Sequence, residues 1–215
     1  MSEPAAAEIP HQFDSRAQQV AAATLGIWTF LSTEVLFFGG LFLAYTVYRL
    51  SYFAGFLEAS KELYYSIGTA NTVLLLTSSF SMTLGVRSIQ DGDSRGLRRY
   101  VAITFGLGVA FLLLKMVEYY LDYRGHIEPS INFRPSDYAH PDAAELFFFF
   151  YYTMTLLHFV HMTAGLGGLI YVYVRAGRGD FTADYHTPVD VMGLYWTFVD
   201  VVWVFLYPTL YLVGT

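Results

Sequence analysis

A chain of 215 residues that is 55% hydrophobic, 19% aromatic and only 14% charged carries more apolar surface than one soluble core of that size buries, which places it in a membrane. A net charge of −6 with only 12 basic residues excludes a polybasic surface, so no nucleic acid is expected among its partners. The absence of cysteine excludes thiolate-held iron–sulfur clusters, cysteine-type zinc sites and cysteine-bridged copper.

The first 19 residues hold Glu3, Glu8, Asp14 and Arg16 without a basic leader or an apolar core. They are expected to form a cytoplasmic N-terminal segment rather than a cleavable signal peptide. Apolar runs follow at residues 21–49, 66–87, 99–123, 146–174 and 189–212. Each is about 20 residues or more, enough to cross a hydrocarbon core about 30 Å thick. The expected fold is all-α, an integral membrane bundle of five transmembrane helices that occupies residues 20–215 as one domain.

Turn chemistry marks the connections: Gln90-Asp91-Gly92-Asp93-Ser94, Ala176-Gly177-Arg178-Gly179-Asp180, and a longer stretch over 124–144 with Pro129, Pro135 and Pro141. Thr187 reads as an N-cap with Pro188 at the first helical position of the last span, and Pro208 loosens only its final turn. The second span, with Thr69, Asn71, Thr72, Thr77, Ser78, Ser79 and Ser81, suits close packing and interhelical hydrogen bonds. Gly165 and Gly168 serve the fourth span in the same way. No inverted repeat of the transporter kind is visible.

Arg16, Arg87, Arg95, Arg98, Arg99, Arg175 and Arg178 fall on one side of the membrane, and Arg49, Lys61, Arg124 and Arg134 on the other. Seven basic residues against four put the N-terminus in the cytoplasm and the C-terminus outside.

Ionisable residues at membrane depth are costly and stand out. Glu34 lies midway along the first span, His158 and His161 along the fourth, and Asp200 along the fifth. Helical spacing puts Trp196, Asp200, Trp203 and Tyr207 on one face, directing the acid toward a protein interior. Glu34 reads either as a static acid donating one hydrogen bond or as a group for proton handling or lipid head-group contact. The histidines, on nearly one face, read as core residues with hydrogen-bond partners or as a metal or haem site. Two histidines three apart cannot bind one haem iron from opposite sides, and the repeated Glu-x-x-His signature of a di-metal bundle is missing, so no metal site is expected. Lys115 and Glu118, at i,i+3 spacing, form a structural ion pair of their own.

Five motifs stand in order: Gly26-Ile27-Trp28-Thr29-Phe30-Leu31-Ser32-Thr33-Glu34-Val35-Leu36-Phe37-Phe38, Asn71-Thr72-Val73-Leu74-Leu75, Glu118-Tyr119-Tyr120, His158-Phe159-Val160-His161 and Tyr195-Trp196-Thr197-Phe198-Val199-Asp200-Val201-Val202-Trp203. In this the chain resembles subunit III of haem-copper oxidases in its five-helix bacterial form, without the two leading helices of the seven-helix version. The resemblance implies a non-catalytic subunit of a respiratory terminal oxidase in a bacterial cytoplasmic membrane. Its main partner would be subunit I, with subunit II and small subunits or a larger supercomplex beside it. Haem and copper would sit in the partner subunits and none in this chain, and structural phospholipids would fill a cleft between helix groups.

By the same resemblance Glu34 matches the family's carbodiimide-reactive glutamate. His158 and His161 match its histidine pair, and Asp200 its closing acid. Arg175 and His186 match residues beside lipid head groups. Thr197 departs from the pattern, since many members carry histidine there. An accessory subunit of a quinol oxidase or nitric oxide reductase is the rival within the family. A freestanding proton or ion carrier using Glu34 and Asp200 is the rival outside it.

Overall fold

The computed structural model describes residues 13–213, so the expectations for Glu3 and Glu8 and for the last two residues lie outside the described residues. The described residues form six α-helices and one short 3₁₀ turn: α1 Arg16–Ser51, α2 Phe53–Ser60, α3 Tyr65–Gln90, α4 Ser94–Arg124, the turn Pro135–Asp137, α5 Pro141–Gly177 and α6 Thr187–Tyr211. All but α2 are long and apolar enough to span a membrane. The five spans fall where the apolar runs predict them, extended at their ends by polar turns.

Local chemistry sets those ends. Ser15 caps α1, its Oγ accepting from the Gln18 amide at 3.2 Å while the Gln18 side chain accepts from the Asp14 amide at 2.6 Å. Such reciprocal capping fixes the first turn of a helix whose start the apolar pattern alone places later. Asp93 opens α4 by accepting from the amides of Arg95 at 3.0 Å and Gly96 at 2.9 Å. Gly92, with φ of 83°, makes the tight α3–α4 reversal that a residue with a Cβ would strain. The last span begins one residue off expectation: His186 is its N-cap, without a side-chain bond, and Thr187 is already helical. Pro188 therefore sits in the first turn, where its missing N–H has no helical acceptor to lose.

Helix α2 lies in the connection between the first two apolar runs, outside the five expected helices. Eight residues are too few for the periodic signal to rise above loop composition, and tertiary contacts hold the segment. Phe56 buries its ring 5.5 Å from Tyr45 and 5.6 Å from Phe147. The Glu58 carboxylate accepts from the amides of Ala139 at 2.8 Å and His140 at 3.3 Å, just before α5 begins.

Helices α3 and α4 form a tight antiparallel hairpin, and α5 packs on α4, α2 and α6. Helix α1 is peripheral, resting mainly on α6, with Tyr45 OH donating to the Thr209 carbonyl at 2.9 Å. In lipid, helices gain little from hydrophobic burial against one another, so fit and interhelical bonds decide association. Trp196, fully buried, shows the fit: a Cβ at Gly108 would lie 2.8 Å from its ring and one at Gly165 3.0 Å. Glycine at both places lets α4, α5 and α6 close on the indole. Gly108→Val is expected to lower the thermal midpoint of the purified protein, with a loss of about 1–3 kcal/mol from overpacking, as followed by intrinsic fluorescence on heating.

Candidate functional site: polar groups at membrane depth

The ionisable residues singled out by sequence fall into separate clusters. Glu34 of α1 meets His161 of α5, with Glu34 Oε2 3.1 Å from His161 Nε2. The other ring nitrogen, Nδ1, lies 2.8 Å from the Leu157 carbonyl four residues back. A carbonyl only accepts, so Nδ1 carries a hydrogen and the tautomer is fixed. If the ring is neutral, Nε2 is a bare acceptor and the hydrogen between the two residues belongs to Glu34. If Glu34 is ionised, the ring is an imidazolium. In either arrangement the pair holds one shared proton. Both side chains keep 17% exposure, and Phe38 sets its edge against the imidazole at 5.3 Å between centroids.

His158 does not join them. A step of three residues turns about 60° away from the starting face, and here that suffices to direct the two histidines to different neighbours, which corrects the expectation of a shared face. His158 is buried between the rings of Phe111 at 5.6 Å and Trp203 at 5.3 Å, and among the described residues neither of its nitrogens has a hydrogen-bond partner. Among the described residues no three His, Asp or Glu side chains converge as metal ligands. Asn71, which opens the second of the five motifs, is likewise fully buried, with its amide unpaired among the described residues.

Asp200 ties α6 to α3. Its Oδ2 accepts from Ser79 at 2.6 Å and from Ser78 at 3.3 Å, and Ser78 Oγ in turn accepts from the Trp196 indole at 3.0 Å. One turn further along, the Trp203 indole donates to Thr72 Oγ1 at 3.0 Å. The hydroxyls of the second span therefore act as interhelical partners, as their density predicts. Thr197 takes no part in this: it is exposed on α6, facing Trp28 and Met82.

The Lys115–Glu118 pair forms, at 3.1 Å, within a larger knot. Lys115 Nζ also reaches Tyr151 OH at 3.0 Å and Tyr211 OH at 2.7 Å, so its three donors have three acceptors. Tyr211 OH donates to Glu118 Oε1 at 2.7 Å. Tyr151 OH has one hydrogen and two carboxylates within reach, Glu118 at 3.1 Å and Asp122 at 2.9 Å. The knot joins α4, α5 and α6 and is sealed from outside. Asp122, Tyr151 and Tyr211 were missed because only the i,i+4 step from Glu118 to Asp122 was a local signal, while the tyrosines lie far off in sequence.

Arg175 and His186, near one end of the bundle, do not share a site. Arg175 is bonded to Asp180 and donates to Tyr171 OH at 3.3 Å. Tyr171, with Ile27, Phe30, Gly168 and Tyr195, lines an apolar cavity of about 620 Å³ between α1, α5 and α6. His186 Nε2 turns instead to Asp190 Oδ2 at 3.3 Å. Arg98 over Tyr173 at 4.9 Å and Arg16 over Tyr185 at 5.0 Å repeat the arginine–tyrosine pairing at this end, a pattern suited to a membrane–water boundary.

The family profile described as Cytochrome c oxidase subunit III matches residues 11–215. A protein named Cytochrome c oxidase subunit 3 from Synechocystis is 34% identical over 188 residues, covering 87% of this chain and 74% of its own. One named Probable cytochrome c oxidase subunit 3 from Mycobacterium bovis is 32% identical over 199 residues, 93% of this chain and 90% of its own. The Cytochrome c oxidase subunit 3 of Thermostichus vulcanus is 33% identical over 190 residues, covering 87% and 86%.

Lys115→Met leaves Glu118 as a buried, uncompensated charge and should cost about 3–5 kcal/mol, read as lost yield and a lower melting temperature. Adding Glu118→Gln, which keeps an acceptor for Tyr211, should restore much of that loss. Glu34→Gln should be nearly neutral for stability, because the amide N–H can donate to a neutral His161. Glu34→Leu strands Nε2 and should cost about 1–3 kcal/mol in the same melting assay.

Proposed function

Because the chain belongs to the cytochrome c oxidase subunit III family, we propose that it serves as the non-catalytic third subunit of a respiratory oxidase, packed beside the large subunit that holds haem and copper. The family is that of a membrane-embedded oxidoreductase complex, and the five spans make this chain a multi-pass membrane protein. The observation that carries the non-catalytic role is the use of the polar groups at membrane depth. Lys115, Glu118, Asp200, Ser78 and the indoles of Trp196 and Trp203 are all engaged in bonds between helices. Such groups build a rigid wall rather than a reaction centre.

In this reading the complex reduces oxygen to water with four electrons from cytochrome c and four protons. The chain supplies a stable flank that supports proton uptake and protects the large subunit against inactivation. The excess of basic residues at one end supports a cytoplasmic N-terminus and an outer C-terminus in a bacterial inner membrane. Subunit II and smaller subunits complete the assembly. The apolar cavity beside Tyr171 has the character of an acyl-chain site, with Arg175 placed for a lipid phosphate.

Extraction in mild detergent through an affinity tag, with a reduced-minus-oxidised spectrum, tests the assignment. A haem a signal with co-purifying large subunits is expected. Haem b or c alone would move the chain to a quinol oxidase or nitric oxide reductase assembly, and a colourless single chain would overturn the reading. In the same preparation Arg175→Ala should lower the phospholipid retained per complex, measured by mass spectrometry of the extracted lipid.

A further inference from the structure

The knot around Lys115 contains one more acid than its ammonium balances. Lys115 brings one positive charge, while Glu118 and Asp122, about one and two turns further along α4, bring two carboxyl groups. All three residues are at most 1% exposed. Tyr151 of α5 and Tyr211 of α6 bring hydrogens and acceptor oxygens but no charge. The further acid that acts on Asp122 is Glu128, in the loop after α4, and it adds negative potential rather than relieving it. With both carboxyl groups ionised the knot would hold a net charge of −1 in a site closed to water. Burial of an unbalanced charge is costly enough that an acid so placed keeps its proton instead.

We infer that the knot is a proton-binding site of zero net charge, in which Asp122 is a neutral carboxylic acid that donates from Oδ2 to Tyr151 OH and so joins α4 to α5. Counting hydrogens supports this placement. Tyr151 OH lies 2.9 Å from Asp122 Oδ2, 3.1 Å from Glu118 Oε1 and 3.0 Å from Lys115 Nζ. If Asp122 were ionised, one phenolic hydrogen would face two carboxylates. Asp122 would then hold its charge with one bond at most, since its Oδ1 is buried without a partner among the described residues. With the proton on Asp122, the acid and Lys115 both donate to the Tyr151 oxygen, and the phenolic hydrogen goes to Glu118. Every hydrogen then has its own acceptor. The same count decides between the two acids. Glu118 receives Lys115 on Oε2 at 3.1 Å, and Tyr211 at 2.7 Å together with Tyr151 on Oε1. Hydrogen bonds to the charged form favour it, so the ionised carboxylate is the one on which three donors converge.

The inference goes beyond the oxidase assignment and does not rest on it, since every member of the knot belongs to this chain. The test uses the protein purified from its native membrane in mild detergent with whatever subunits accompany it, grown with and without aspartate labelled by carbon-13 at the side-chain carboxyl. Infrared difference spectra are taken between the protein with Asp122 intact and Asp122→Asn at neutral pH. The carbonyl stretch of a neutral carboxylic acid should be present in the former, move to lower frequency with the label, and be lost in the variant. Melting temperature gives a second readout. Asp122→Asn exchanges a neutral acid for a neutral amide whose N–H can donate to Tyr151 in its place, so the melting temperature should stay unchanged. Glu118→Gln removes the counter-charge of Lys115 and should lower it.

Loss of carboxylate bands in place of a neutral-acid carbonyl in the Asp122→Asn difference overturns the inference. So does a neutral-acid band that the aspartate label leaves unshifted and that Glu118→Gln removes, because the proton then sits on Glu118. A fall in melting temperature in Asp122→Asn as large as that in Glu118→Gln, or failure of Asp122→Asn to assemble, also counts against it, since a neutral replacement of the same shape leaves a neutral knot intact. The haem spectrum is read separately, so loss of the oxidase assignment and loss of this proton site are distinguishable.

Discussion

The structure depends on one constraint: a polar group inside a hydrocarbon layer has no water to fall back on, so each must find its partner within the protein. The Lys115 ammonium meets it in full, whereas His158, Asn71 and Asp122 Oδ1 stand as exceptions among the described residues. An ammonium with three donors faces a carboxylate and two phenols, and each phenol passes its own hydrogen on to a carboxylate. Bonds of this kind have direction, whereas packing between leucines does not. They therefore fix how far α4, α5 and α6 slide past one another, and a slip of one turn would strand a buried charge.

Asp200 performs the corresponding service between α6 and α3, at a different depth. The two tryptophans of α6 combine both kinds of constraint. Their indole N–H groups donate to Ser78 and Thr72, and the ring of Trp196 is enclosed by Gly108 and Gly165. Register and fit are thus set by the same residues. Four helices become a rigid body, while α1 is left as an outer arm held at its far end by Tyr45 and at mid-depth by the Glu34–His161 pair.

That division bears on function. The rigid body uses its charges internally, in bonds between its own helices. The arm is different. Its separation from α3 and partial separation from α5 leave two apolar spaces on either side of α6. The Glu34–His161 pair joins this arm to α5, and both side chains keep 17% exposure.

The sequence by itself determined the five spans, because crossing a bilayer demands about 20 apolar residues in a row and nothing subtler. It also determined that Asp200 points inward, that the hydroxyls of the second span bind neighbours, and that Lys115 and Glu118 pair, since each of these follows from helical spacing. Only the tertiary structure decided which residues complete the knot: Tyr151 and Tyr211 lie 36 and 96 positions from Lys115, and no periodicity links them. Tertiary packing likewise separated His158 from His161, gave Glu34 its partner, ordered α2 against Phe147, and turned His186 toward Asp190 rather than Arg175. The physical reason is common to all of these: spacing fixes the direction of a side chain on its own helix, and the packing of helices decides what stands there to meet it.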